Sequence, residues 1–337
     1  MMIRRKTHIW SACATLTALA LIFGCNSPAG PGSGSTPEGS LVAWVNGLGA
    51  TVDLYFQGSD SLVSSAYITG DSPNDLLYLG DNRLAILSSL SSRLQVVDLS
   101  QAGSVIQDVQ LPAGGNPWAM THREGRIWIT LTQMDALISV STSTWSIEDS
   151  LEVRTFPYGV AAAEGRIFVS YGDFYPDTTA GGVSVFDAET LQETGWLDTG
   201  RNTSELWFCE ETGNVHAFAT TYTDDGVISI IDPSSASIIS QVLTGGAPMS
   251  PVKLKNGFAC CDGWGTSIFF YDETGAVSST WNPDTSLTLA GMCVLGDTLY
   301  MTDFNGDRVL RGLWATQTLL SSLQGGDGPQ MMISVER

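Results

Sequence analysis

The chemistry open to this chain is narrow. Beyond residue 24 it holds only two histidines, His122 and His216, too few for the clusters that copper or haem centres need. There is no Gly-x-Ser-x-Gly elbow, no His-Glu-x-x-His, no phosphate-cradling Gly-Lys-Ser/Thr and no Cys-x-x-Cys. No residue is therefore assigned a catalytic role, and both histidines read as surface or satisfied core side chains. What the sequence offers instead is aromatic rings beside carboxylates in turns rich in glycine and proline. Asp75, Trp118, Tyr158, Arg201 and Glu205 form one such set, and Phe174, Tyr175, Tyr222, Asp224, Trp264 and Phe304 a second. Rings next to carboxylates suit stacking on a sugar or peptide, or holding a cationic group.

Three oxygen-rich stretches invite a cation. In "DFNGD" (303–307), Asp303, Asn305 and Asp307 alternate, but the glycine and distal glutamate of an EF-hand are missing. A hairpin turn explains that spacing better. Asp173 with Asp177, and Asp224 with Asp225, offer the same weak reading. No cofactor is expected, with calcium the one alternative.

The elements that position these residues emerge from an internal repeat. "EGRIWIT" (124–130) and "EGRIFVS" (164–170) recur forty residues apart. The same join returns as "GDNRLAIL" (80–87), "TGNVHAF" (212–218), "NGFACC" (256–261) and "LGDTLYM" (295–301). Alternating strands follow several of these joins and end on Asp98, Asp187, Asp232 and Asp272, where a carboxylate can cap the next turn. A Pro- or Gly-rich turn precedes most units. Six full units result, at 72–115, 116–155, 156–201, 202–246, 247–286 and 287–327, each of four short strands, A to D. That period and strand count predict an all-β fold, a β-propeller.

A partial unit remains at each end. Residues 41–71 supply strands B, C and D, and "PQMMISVE" (329–336) supplies a strand A. Together they predict a seventh blade, in which the C-terminal strand A joins the N-terminal strands B–D and closes the ring with backbone hydrogen bonds. Trp128, Phe168 and Tyr300 fall inside B strands and are expected in the core.

The stretch "FPYGVAAAEGRIFVSYGDFYPDTTAGGVSVFDAET" (156–190) resembles the YVTN-type β-propeller repeat: a Pro turn, a Val-Ala strand, a Gly turn, a strand of YVTN form, then a VSVID-like strand. The resemblance runs over nearly all of 41–337. It departs where units 4 and 6 open without proline, and where "LISVSTSTW" and "VLRGLWA" lack the aspartate. It implies the seven-bladed propeller and leaves function open, because this fold hosts lactonases, quinone enzymes, haem enzymes and binding proteins. The loop face, made by the D–A turns and B–C loops, is where such folds carry their sites. The two residue sets above map to it, the first to D–A turns and the second to B–C loops.

The first residues have another purpose. Arg4, Arg5 and Lys6 precede the apolar run "WSACATLTALALIF", which is short for a membrane span. The following "LIFGC" resembles the lipobox of bacterial lipoproteins, with Phe23 a departure. Residues 1–24 are thus expected to be a signal peptide, Cys25 the lipidated residue, and 25–40 a Pro/Gly/Ser tether. Asn26 after the cysteine favours the outer membrane or cell surface.

Without residues 1–24, 12 basic side chains face 35 acidic ones, a formal charge of −23. Such a field repels nucleic acid and phosphorylated ligands and suits cations or basic partners. Cys209, Cys260, Cys261 and Cys293 remain in an oxidising compartment, as one or two disulfides or as buried thiols. Cys260 and Cys261, adjacent on a strand, should point into different layers. The expected function is a monomeric, lipid-anchored binding or scaffold protein of the envelope, with a protein, peptide or glycan partner. The alternative is an enzyme of lactonase type or, behind it, a quinone- or metal-dependent dehydrogenase subunit.

Overall fold

A computed structural model describes residues 34–172, 181–220 and 226–337. The expected signal peptide and Cys25 lie outside these residues, as do Phe174, Tyr175, Tyr222 and Asp224, and the aspartate pairs at 173/177 and 224/225.

Seven antiparallel four-stranded sheets account for nearly all the secondary structure. Blades 1 to 6 run over Pro73–Gln110, Pro117–Glu152, Pro157–Leu197, Thr203–Leu243, Pro248–Trp281 and Leu289–Gln324. Each falls inside its repeat unit. In blade 7, Pro329–Val335 pairs with Leu41–Asn46, followed by Thr51–Phe56 and Ser61–Ile68. The closing strand therefore comes from the C-terminus and the other three from the N-terminus, as the two partial units require.

The alternation of each strand explains how the blades adhere. Leu84 and Ile86 of blade 1 pack toward blade 7, while Ala85 and Leu87 pack toward blade 2. Successive side chains of a strand point to opposite faces, so each inner strand feeds two seams. The hydrophobic core is accordingly divided into seven clusters, one per seam. Trp128, Phe168 and Tyr300 are buried in them. The D strands form the outer rim and alternate between exposed and half-buried residues.

The four cysteines are free and buried. Cys260 packs in the seam with blade 4 and Cys261 in the seam with blade 6, opposite ways, as adjacent strand residues must. His216 is buried against Trp207, Phe218, Phe258 and Tyr271, with Nδ1 3.1 Å from the Tyr271 hydroxyl. Burial pulls its pKa down to about 4, so it sits neutral as a core side chain.

Residues 34–36, at the end of the expected tether, are not free chain. Gly34 and Ser35 pair with Ala102 and Gln101 in a two-stranded ladder. The Thr36 amide donates to Ser100 O (2.9 Å) and its hydroxyl to Leu99 O (2.6 Å). A segment with no apolar side chains still carries backbone donors and acceptors, and here they meet the C–D turn of blade 1. This docking lies on the face made by the A–B and C–D turns, opposite the loop face.

Candidate functional site

The loop face is built by a device repeated seven times. In every blade a residue of the B–C loop donates its amide to the D–A turn: Ser89 to Ser72 O, Thr132 to Asn116 O, Gly172 to Phe156 O, Thr220 to Asn202 O, Gly263 to Ala247 O, Phe304 to Thr288 O and Gly47 to Gly328 O. Two connections per blade are thus tied into one rigid rim.

Just below that rim, each strand A carries a register shift against its neighbour. Such bulges bend the strand and leave backbone groups without ladder partners, and a buried amide without a partner is costly. Side chains supply the partners. Thr130 Oγ1 accepts from Ala119 N (3.2 Å) and Ser170 Oγ from Gly159 N (2.9 Å). Asp75 Oδ2 accepts from Met120 N of the next blade (2.8 Å), and its Oδ1 from its own Leu76 N (2.8 Å). Glu205 Oε2 accepts from Ser250 N of blade 5 (2.7 Å). Asn74 Nδ2 and Gln330 Nε2 donate across seams to Trp118 O and Pro73 O. Gly159 belongs to the same arrangement: a Cβ there would lie 2.6 Å from Leu206 N and 2.8 Å from Ser170 Oγ.

This places the first residue set. Asp75, Trp118, Tyr158 and Glu205 lie inside strand A, not in the D–A turns. The bulge turns their neighbourhood toward the axial channel. Only Arg201 sits in a turn, where it is exposed. Tyr158 is buried, with Trp118 edge-on to it at 5.2 Å, so this pair is part of the wall more than a free aromatic platform. Asp75 and Glu205 are half-buried at the channel. Desolvation by the surrounding wall pushes both carboxyl groups up to about 7, against the pull of the backbone hydrogen bonds, and the charge of Glu205 raises Asp75 a little further. Their geometry makes them blade-to-blade links first.

Within the second set, Trp264 and Phe304 meet edge to face at 5.1 Å across blades 5 and 6. Trp264 stays 47% exposed. The oxygen-rich "DFNGD" turn is engaged internally. Asp303 accepts from Thr288 N and pairs with Arg308 (2.8 Å), Asn305 donates to Thr288 Oγ1, and Asp307 accepts from Gly328 N. The hairpin reading describes this turn. Among the described residues no three His, Cys, Asp or Glu side chains converge to hold a metal.

Three residues that the sequence reading passed over share this face. Leu48, Leu90 and Met134 occupy the B–C loops of blades 7, 1 and 2 and are 66%, 74% and 45% exposed. The signal was present in the repeat: a single large apolar residue in a loop otherwise made of Gly, Ala, Ser, Thr, Gln or Asp.

No family model matches the chain, and no curated protein matches it. Solved structures do. A functionally unknown protein from Desulfotomaculum acetoxidans superposes with a TM-score of 0.67 at 11% identity, over 86% of this chain and 98% of that one. Apo AztD from Citrobacter koseri gives 0.63 at 12%, over 88% and 98%. Virginiamycin B lyase from Staphylococcus aureus gives 0.61 at 12%, over 74% and 83%. At such identities the likeness establishes the seven-bladed propeller and nothing finer.

Proposed function

We propose that this chain is an exported, lipid-anchored binding protein of the cell envelope, its repeats of YVTN type, which holds a protein, peptide or glycan partner on its loop face. The observation that carries this reading is the row of solvent-exposed apolar tips on a rim fixed by backbone hydrogen bonds. Large apolar side chains repeated on the loops of one face and missing from the turns of the other suit a contact surface. The docking of residues 34–36 on the opposite face supports the arrangement. A chain anchored at Cys25 would reach the propeller from that side and leave the loop face turned away from the membrane. Eight residues separate Cys25 from Gly34, a span of at most about 30 Å when extended.

The experiment is capture from the envelope fraction of the source cells with the full-length protein in detergent, run beside a Leu90→Asp, Met134→Asp variant of unchanged melting temperature. A partner held by the first and lost by the second supports the reading. A partner held equally by both contradicts it. Lipidation is tested separately, by the mass of the mature N-terminal peptide and by loss of membrane association in Cys25→Ser.

One observation favours a second reading. Two carboxyl groups that titrate near neutrality beside a channel have the acidity of a general acid and base. The fold permits lactonase-type chemistry, and a virginiamycin B lyase is among the structural neighbours. Against it, both oxygens of Asp75 already accept backbone amides. Turnover of a lactone panel that vanishes in Glu205→Gln would revive it.

A further inference from the structure

Resting on the loop-face reading, we infer that the occupant of this face is a polypeptide segment carrying both basic and apolar side chains, bound across the B–C loop tips around the channel mouth.

The shape of the apolar surface comes first. All five described B–C loops carry one large apolar side chain: Leu48, Leu90, Met134, Trp264 and Phe304. They belong to blades 7, 1, 2, 5 and 6, so the described apolar points form a crown along the ring. No large exposed hydrophobic residue lies on the A–B or C–D turns among the described residues; the others sit mostly on the D strands of the rim. The crown is a property of one face.

The kind of side chain decides between polymers. Sugars are held by flat aromatic faces combined with directed hydrogen bonds, whereas leucine and methionine offer neither. Aliphatic tips bury aliphatic and aromatic side chains, and methionine adapts its shape to them. Three of the five tips are aliphatic, which favours a polypeptide over a glycan.

Charge then selects the polypeptide. Asp71, Asp198 and Asp327 are exposed on the D–A turns among the tips. Of the arginines nearest the loop face, Arg93 pairs with Asp108, Arg154 with Glu193, and Arg308 with Asp303 and Asp284, while Arg201 is exposed on the turn before blade 4. The face therefore presents carboxylates between apolar points. A partner that alternates lysine or arginine with leucine-like residues complements both, and acidic complementarity of this kind speeds encounter as well as fixing register.

The test uses the detergent-purified full-length protein and a fluorescent twelve-residue peptide of lysine, leucine and tryptophan. An analogue with glutamate for lysine and a chitin hexasaccharide serve as the two contrasts. Anisotropy should report binding of the basic peptide and of neither contrast. A variant with Leu48→Ser, Leu90→Ser and Met134→Ser keeps the net charge and should bind at least about tenfold more weakly, the loss expected when anchoring side chains are truncated. Ile239→Ser with Leu320→Ser, on the rim, should change nothing. Asp71→Asn, Asp198→Asn and Asp327→Asn should weaken binding and flatten its salt dependence.

Equal binding of the peptide by wild type and the triple serine variant would show mere attraction to an acidic protein and overturn the inference. Binding of the hexasaccharide with loss in the serine variant would overturn the polypeptide while leaving the loop face as the binding face. No binding of the basic peptide would also overturn it. The loop-face reading itself falls only if a captured envelope partner is indifferent to the crown.

Discussion

The two ends of this propeller are made from the same repeat and present different side chains. On the A–B and C–D side the turns expose no large hydrophobic residue among the described residues. Asp98, Asp187, Asp232 and Asp272 each accept the amide of the residue two further on, as a strand-ending aspartate should. On the B–C and D–A side the backbone is equally well tied, but Leu48, Leu90, Met134 and Trp264 at the B–C tips are apolar and exposed. A turn that only has to reverse the chain has no use for Leu90 or Trp264. The contrast teaches that satisfaction of the backbone and display of side chains are separate decisions, and the proposed binding face rests on the second.

The largest effect should come from disturbing the bulges that shape the channel wall. Gly159→Val puts a branched side chain against Leu206 N and Ser170 Oγ. Overpacking there should cost about 3 kcal/mol or more, read as a lower denaturant midpoint. A variant as stable as wild type would mean that strand A is looser than described. The equivalent change on the other side, Gly165→Asn, meets no neighbour within 4 Å at a left-handed turn position. Asparagine tolerates that conformation, so it should be nearly silent.

Next in size is a pH effect confined to the mouth. Asp75 and Glu205 have folded pKa values raised to about 7 from 3.8 and 4.5. The folded state thus holds protons that the unfolded state has already lost between those values. Their contribution to stability is full below about pH 4 and falls as the pH rises to about 7. Unfolding midpoints at pH 5 and pH 8 should differ less in Asp75→Asn, Glu205→Gln than in wild type. An unchanged difference would remove these two groups from the pH dependence.

Changes at the crown should separate function from stability. Leu48→Ser, Leu90→Ser and Met134→Ser remove exposed side chains, so each should move stability by no more than about 0.5 kcal/mol, while partner capture is lost. A fall in melting temperature matching the loss of capture would make the crown structural. The smallest effect belongs to the turn side. Asp232 is held down to about 2 from 3.8 by Ser234 and Ser235. Its contribution is present above about pH 4 and disappears as the pH falls through 2. Asp232→Ala should flatten the stability curve over that acid range and leave binding untouched.

Much of this was legible in the sequence because it is periodic. Blade boundaries, the shared seventh blade, the capping aspartates and the opposed directions of Cys260 and Cys261 all follow from strand alternation and a forty-residue repeat. The site was less legible. A one-residue bulge shifts Asp75, Tyr158 and Glu205 from turn into strand, and nothing in local composition announces a bulge. Nor could composition tell that Gly34, Ser35 and Thr36 would find an unpaired turn, since backbone pairing does not depend on side-chain type. Leu48, Leu90 and Met134 could have been found: aligning the B–C loops of the repeat exposes them, but attention to aromatic and charged residues passed over aliphatic ones.

Site-specific photo-cross-linking in living source cells distinguishes a partner on the B–C face from one on the opposite face. A photoreactive residue would be placed at Leu90 or Met134 on one face, and at Glu124 or Glu164 on the other. If the B–C face meets the partner, a discrete cross-linked species forms at positions 90 and 134 and none at 124 and 164. Cross-links of equal strength from both faces, or from 124 and 164 alone, would contradict it.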